Sequence, residues 1–179
     1  MLRRPRFLII ALVLVLLADG SAQKTVRASA DVQTSVATDE SIAIVVNQEN
    51  TIENLSMKDL RSIFLGERSH WPNGRRITLV MMEPGQLERK AILRDIYRMN
   101  ETDFSRHFLQ GLFTGEVFVS PKTLASPVGV RKFIFNVPGA IGYVRASDVD
   151  PTIKVVRIDG RSPEDKDYEL RLQPRLGTK

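Results

Sequence analysis

Apolar residues follow two different periods along this chain, and the two periods predict alternating strands and helices. Residues 41–47 read SIAIVVN, a continuous β-branched run of strand length, which is typical of a strand covered on both faces of its sheet. Similar runs predict strands at residues 77–82, 140–144 and 153–158, and a last edge strand at residues 168–172. The result is an α/β chain with a mixed sheet of about five strands covered by helices.

Helical spacing predicts the segments between these strands. A first helix begins at Ser56, whose side chain can cap it, and a second covers residues 92–99. A third is predicted at residues 103–112 with a buried face made of four residues, and a fourth begins at the pair Ser126 and Pro127. The buried face of the third helix is predicted to contain Phe104, Phe108, Leu109 and Leu112.

The order strand, helix, strand over residues 42–80 predicts a right-handed β-α-β unit with two parallel strands. A tryptophan turn at residues 71–74 precedes the second of these strands. Trp71 itself is expected to be a packing residue, because large aromatic side chains are mostly buried.

The first 22 residues have the features of a secretory signal peptide. Three arginines precede an apolar run at residues 7–18, and small residues at 20–22 form a cleavage site before Gln23. An uncleaved membrane anchor is the alternative; with cleavage, no membrane span is expected. A flexible leader is predicted at residues 23–40, a compact domain at 41–160, and a C-terminal strand and tail at 161–179. The expected location is periplasmic or secreted.

Composition removes several classes of function. The chain has no cysteine, so thiolate metal sites and cysteine nucleophiles are excluded. The formal charge of +5 includes +2 from residues 1–22, and the remaining basic residues are dispersed, which is not typical of nucleic-acid binding. His70 and His107 are the only histidines and lack nearby carboxylates at metal-ligand spacing. No catalytic or nucleotide-binding motif is present, so we expect neither an enzyme nor a cofactor.

Three stretches together resemble the phosphate-binding branch of the periplasmic solute-binding proteins that serve ABC transporters. They are residues 44–47 (IVVN), residues 55–66 (LSMKDLRSIFLG) followed by Trp71, and residues 138–144 (PGAIGYV). Their order and spacing resemble one half of such a protein over roughly residues 41–158. The resemblance implies a single lobe of a type II periplasmic-binding-protein-like fold.

The resemblance also implies where a ligand would lie. Crevices form at strand ends, so the expected ligand-binding residues are Asn47, Gly85, Gln86, Gly142 and Tyr143. The alternative is that the Gly85 segment is only a turn and Tyr143 only a core residue. Phosphate-binding members have an Arg and a Ser-Gly-Thr loop after the tryptophan-associated strand, whereas residues 81–88 here read MMEPGQLE, without a hydroxyl.

Two functions remain open at this point. The first is an exported, non-catalytic solute-binding domain for phosphate or another small anion, with an ABC permease as a partner. The second is an envelope interaction module that has lost small-molecule binding and docks on a membrane protein or sensor.

Overall fold

The computed structural model describes residues 40–173, which fold around a mixed six-stranded sheet. The predicted signal peptide, almost all of the predicted leader and the end of the predicted tail lie outside the described residues. The mixed α/β sheet is confirmed, and the prediction of about five strands missed two short ones, β2 and β4. The strands are β1 (Ile42–Asn47), β2 (Asn54–Leu55), β3 (Thr78–Met82), β4 (Lys122–Leu124), β5 (Ala140–Arg145) and β6 (Ile153–Ile158).

Four α-helices accompany the sheet in the described part of the chain. The first and the fourth begin at the capping residues predicted from sequence, whereas α2 begins five residues before the predicted residue 92 and α3 two residues before the predicted residue 103. The Ser56 hydroxyl accepts a hydrogen bond from the amide of Asp59 at 3.0 Å, and the Ser126 hydroxyl accepts one from Gly129 at 3.1 Å. The helices are α1 (Met57–Phe64), α2 (Leu87–Ile92, extended by a π-helical turn at Leu93–Tyr97), α3 (Glu101–Thr114) and α4 (Pro127–Asn136).

The predicted parallel β-α-β unit is wrong. The strands lie in the order β2-β6-β1-β5-β3-β4, so β5 separates β1 from β3. Strand β1 is antiparallel to β5, and β5 is parallel to β3, so β1 and β3 run in opposite directions. The sequence from 42 to 80 contains no signal for this insertion, because β5 comes from about 60 residues farther along the chain.

Both faces of the sheet are covered by helices, as alternation along β5 demonstrates. The Cα of Gly142 faces α4: a Cβ placed there would lie 3.3 Å from the Cδ1 of Ile134. Tyr143 points the other way, and its ring centroid lies 6.4 Å from that of Phe64 in α1. Trp71 is buried, as predicted, and its indole N–H donates to the carbonyl of Gly139 at 3.0 Å.

The predicted buried face of α3 is correct for Phe104 and Phe108 and wrong for Leu109 and Leu112. These leucines are 61% and 50% exposed. At 3.6 residues per turn, residues 109 and 112 are rotated by about 140° and about 80° from Phe104, whereas Gly111 falls within about 20° of it. Gly111 is buried on that face, so the helix packs along the line of residues 104, 108 and 111.

The predicted C-terminal edge strand is also corrected. Residues 168–172 form no regular strand, although they lie beside the start of β1. The amide of Ile42 donates to the carbonyl of Leu170 at 2.8 Å, and the hydroxyl of Tyr168 donates to the carbonyl of Ile42 at 2.9 Å. Pairing between β1 and β6 begins only at Ile44, so only the first residues of β1 are open to this segment.

Within residues 40–173, none of the helices combines the length and the apolar character needed to cross a membrane.

Candidate functional site

The connection from β3 to α2 is a tight, exposed turn. The amide of Gln86 lies 3.5 Å from the carbonyl of Glu83, with Pro84 and Gly85 between them. Gly85 has φ of +94°, which a residue with a side chain rarely adopts, and proline followed by such a glycine is typical of a type II turn. Gln86 is the N-cap residue of α2, and its side chain makes no capping hydrogen bond. Two of the predicted ligand-binding residues therefore lie together at the surface.

Asn47 lies at the other end of the sheet. It ends β1, and its neighbour Val46 pairs with Ile141 near the start of β5. Because β3 runs parallel to β5, the start of β3 lies at the same end of the sheet as Asn47. The turn that contains Gly85 follows the other end of β3 and is about 15 Å from Asn47 at 3.3 Å per residue. The antiparallel arrangement of β1 thus separates two groups of predicted site residues.

The side chain of Asn47 is fully engaged by the protein. Its amide nitrogen donates to the carbonyls of Ile134 and Phe135 at 2.8 and 2.7 Å, and its oxygen accepts from the amide of Glu49 at 2.9 Å. These two carbonyls belong to the last turn of α4, where helix carbonyls lack partners within the helix. Asn47 is only 4% exposed, so it holds the end of α4 against the sheet.

Packing against Val80 and Ile134 explains why residue 142 is a glycine. A Cβ at this position would lie 3.2 Å from both the Cβ and the carbonyl oxygen of Val80. The neighbouring strand β3 therefore approaches Gly142 too closely for a side chain there. Gly142 faces α4, on the opposite side of β5 from Tyr143.

Tyr143 reaches the end of β3 from inside the core. Its hydroxyl accepts a hydrogen bond from the amide of Met82 at 3.1 Å, and its side chain is almost completely buried. Burial raises the pKa of the Tyr143 hydroxyl well above its ordinary value, and the hydrogen bond from Met82 opposes part of this effect. Tyr143 thus positions the residue immediately before the turn.

Arg89 contacts Met82 as well, through its carbonyl rather than its amide. Its Nη1 donates to the carbonyl of Met82 at 2.8 Å, and its Nε and Nη2 donate to the two carboxylate oxygens of Glu101 at 2.7 and 2.8 Å. The guanidinium also lies 4.8 Å from the ring centroid of Phe104. Arg89 is 5% exposed, so a buried cation lies against Met82, the residue that precedes the exposed turn.

The remaining charges near the turn are partly neutralised. Glu88 is buried, and its carboxylate accepts a hydrogen bond from Nε of Arg145. This hydrogen bond raises the pKa of Arg145, and burial opposes it. Arg145 also pairs with Glu40 at 3.3 Å. Glu83 is exposed in the turn, and a negative charge there repels anions.

Sequence reasoning missed Arg89 and Glu101, although a signal for both was present. Arg89 precedes Ile92 and Ile96 by three and seven residues, so it shares the buried face of α2. Glu101 precedes Phe104 by three residues and lies at the edge of the buried face of α3, with its side chain 41% exposed. A charged residue at an apolar helical position is evidence for a buried ion pair, because an isolated buried charge is costly.

Other features of the described residues do not converge on this place. Depressions of about 220 and 230 Å³ lie beside α4 and beside Arg94, and neither is lined by any of the five predicted residues. Nδ1 of His70 lies 2.9 Å from the hydroxyl of Ser69, and Nε2 of His107 lies 2.9 Å from the carbonyl of Leu65. Between residues 40 and 173, no group of three or more acidic or histidine side chains is arranged to hold a metal ion.

The comparisons with known proteins agree with this architecture. The phosphate-binding protein PstS of Bacillus subtilis (strain 168) is 28% identical over 126 residues, which is 70% of this chain and 38% of that protein. Among solved structures, an ABC-type phosphate transport receptor from Vibrio cholerae superposes with a TM-score of 0.58 at 20% identity. The chain therefore has the α/β fold of part of a periplasmic binding protein, as predicted for a single lobe. No protein-family model matches it.

The similarity covers only part of each relative. The Vibrio cholerae match includes 69% of this chain and 48% of that one. A phosphate ABC transporter substrate-binding protein from Clostridium perfringens, solved with bound phosphate, gives a TM-score of 0.57 over 69% of this chain and 47% of that one. The chain therefore spans about half the length of these solved structures and less of the curated PstS.

Proposed function

We propose that this chain is an exported, non-catalytic domain of the solute-binding type that takes a small oxyanion such as phosphate at the β3–α2 turn. The observation that carries the proposal is the buried guanidinium of Arg89, which holds the carbonyl of Met82 immediately before the turn of Gly85 and Gln86. An arginine fork matches the geometry of phosphate and carboxylate oxygens. The similarity to phosphate-binding relatives supports the choice of ligand class.

The same geometry argues for weak binding by these residues. The turn offers backbone amides and the Gln86 side chain but no hydroxyl, and the exposed Glu83 repels an anion. A ligand at an exposed turn contacts protein on one side only, whereas sites that bind small molecules tightly bury most of the ligand surface. We therefore propose that these residues form one wall of a cleft whose other wall comes from elsewhere.

Phosphate titration of the chain purified from the periplasm tests this function. We expect a dissociation constant in the millimolar range, about −4 kcal/mol, with NMR shifts at the amides of Gly85, Gln86 and Leu87 and at Nε of Arg89. An equal concentration of chloride serves as the control for ionic strength. Unchanged resonances at these positions in phosphate would exclude the oxyanion function, and micromolar binding would contradict the one-wall geometry.

A second function is favoured by the exposed apolar side of α3. Leu109, Leu112 and Phe113 lie three and four residues apart and are 61%, 50% and 85% exposed, and Phe118 four residues after the helix is 55% exposed. Exposed apolar surface of this kind is typical of protein contacts. The alternative is an interaction module that docks on an ABC permease or a membrane sensor.

Crosslinking in cells from position 113 tests this alternative. We expect a crosslink to a permease or sensor that is lost when Leu109 is replaced by Ser, while Leu87→Ser, an equally apolar and exposed residue on α2, serves as the matched control. Crosslinks that persist equally in both variants would count against contact through α3.

A further inference from the structure

The Arg89–Glu101 ion pair is unequal in its burial. The side chain of Arg89 is 6% exposed, whereas that of Glu101 is 41% exposed. Arg89 is fixed by the carbonyl of Met82 and by the ring of Phe104. Glu101 reaches the guanidinium from the first residue of α3, on the side open to solvent. The cation is therefore part of the core, and the anion approaches it from outside.

The cation requires an anionic partner at this place. Burial lowers the pKa of Arg89, whereas the hydrogen bonds and charge of Glu101, together with Tyr143 and Tyr97, raise it above its ordinary value, so the guanidinium stays charged. Leaving a buried charge without its partner is strongly destabilising. Whatever occupies this position must therefore supply two oxygen atoms and a negative charge.

A small oxyanion meets the same requirement. Carboxylate and phosphate both bind a guanidinium through two parallel N–H···O hydrogen bonds at similar distances. The 2.7 and 2.8 Å contacts of Glu101 have this geometry. A soluble anion could replace the Glu101 carboxylate atom for atom, and the displaced side chain could turn toward water.

Displacement of Glu101 would leave the start of α3 intact. The cap of this helix is Asn100, whose side-chain oxygen accepts from the amide of Asp103 at 2.9 Å. The carbonyl of Glu101 accepts from the hydroxyl of Ser105 at 2.9 Å through the backbone, independently of the carboxylate. The Glu101 side chain is therefore removable without loss of the helix cap.

We propose that Glu101 is an internal substitute for a soluble oxyanion, which occupies the Arg89 fork and must be displaced before the ligand can bind there. The inference rests on the proposed oxyanion function for its ligand class and adds the mode of control. A tethered carboxylate competes at a high effective concentration, so it lowers the apparent affinity for the soluble anion. The chain would thus respond to phosphate only when phosphate is abundant.

The test compares Glu101→Gln with Glu83→Gln in the exported chain. Each variant removes one negative charge near the turn, but only Glu101 contacts Arg89. With phosphate as the probe, we expect Glu101→Gln to bind about tenfold more tightly than the parent, and Glu83→Gln to gain about threefold or less from charge alone. Acetate and sulfate distinguish carboxylate from tetrahedral oxyanion preference.

Stability supplies a second measurement. Glu101→Gln should melt at a lower temperature than the parent in chloride, and phosphate should raise its melting temperature more than that of the parent, because ligand binding stabilises the folded state. Adding Arg89→Lys to Glu101→Gln should abolish the gain in affinity, because lysine lacks the two-pronged geometry.

The outcomes separate this inference from the proposed function. Phosphate binding by the parent at the turn, with no larger gain in Glu101→Gln than in Glu83→Gln, overturns the competition and leaves the proposed function standing. Binding only by Glu101→Gln supports the competition and removes phosphate as a ligand of the parent. A Glu101→Gln chain that stays unfolded at every phosphate concentration overturns the inference, since a soluble anion should then have replaced the carboxylate.

Discussion

Replacing Asn47 by Ala distinguishes a structural from a ligand-binding role for this residue. The substitution removes the donor shared by the carbonyls of Ile134 and Phe135 and the acceptor used by Glu49. A buried polar group that loses its partner costs about 1–3 kcal/mol, so the loss of two contacts at the end of α4 should lower the free energy of unfolding by about 2–6 kcal/mol. Phosphate affinity should be unchanged, because Asn47 is about 15 Å from the β3–α2 turn.

Urea unfolding followed by circular dichroism measures this effect, with Asn136→Ala as the matched control. The Asn136 amide donates to the carbonyl of Lys132 in the same helix but is exposed, so its removal should change the free energy of unfolding by less than about 0.5 kcal/mol. Asn47→Asp should be at least as destabilising as Asn47→Ala, since a carboxylate would face two carbonyl oxygens. A loss below about 0.5 kcal/mol in Asn47→Ala, or a weakened phosphate response, would refute the structural role.

Three further predictions concern other parts of the domain. Trp71→Phe should lose about 1–3 kcal/mol in urea unfolding, because the carbonyl of Gly139 loses a buried donor; an unchanged midpoint would contradict this. Phe113→Ser should change the free energy of unfolding by less than about 0.5 kcal/mol, because the ring is 85% exposed, and a larger loss would show that the ring packs in the native state. The hydroxyl and amide of Thr152 lower the pKa of Asp150 below its ordinary 3.8. Asp150 therefore favours the folded state above its unfolded pKa and loses that effect as the pH falls through the folded value. Thr152→Ala should raise the Asp150 pKa in an NMR titration, and an unchanged pKa would contradict the assignment.

Local structure was readable from sequence to a useful degree. The caps at Ser56 and Ser126 involve only residues three positions apart, so short-range patterns determine them. The β-branched run of β1 predicted a buried strand because no face of it tolerates water. The predicted buried face of α3 was wrong at Leu109 and Leu112, because amphipathic spacing identifies a helix more reliably than it identifies which neighbour covers each side.

The candidate site was harder to predict from sequence, because it depends on how distant segments of the chain meet. Gly85, Gln86 and Tyr143 were predicted from their places at strand ends, and as ligand-binding residues they stay predictions. The contact of Tyr143 with Met82 joins residues 61 positions apart, and that of Arg89 with Glu101 joins two helices. No local pattern specifies such contacts.

The sequence by itself located four of the strands and the caps of α1 and α4, and it determined the absence of thiol chemistry and the likeness to phosphate-type solute-binding proteins. Only the tertiary structure decided that β5 lies between β1 and β3, and with it that Asn47 and the β3–α2 turn occupy opposite ends of the sheet. Strand order and direction are set by long-range pairing and by the burial of both sheet faces, which local propensity does not encode. The ion pair behind the turn follows from the same long-range packing, because α3 must reach α2 before Glu101 can meet Arg89.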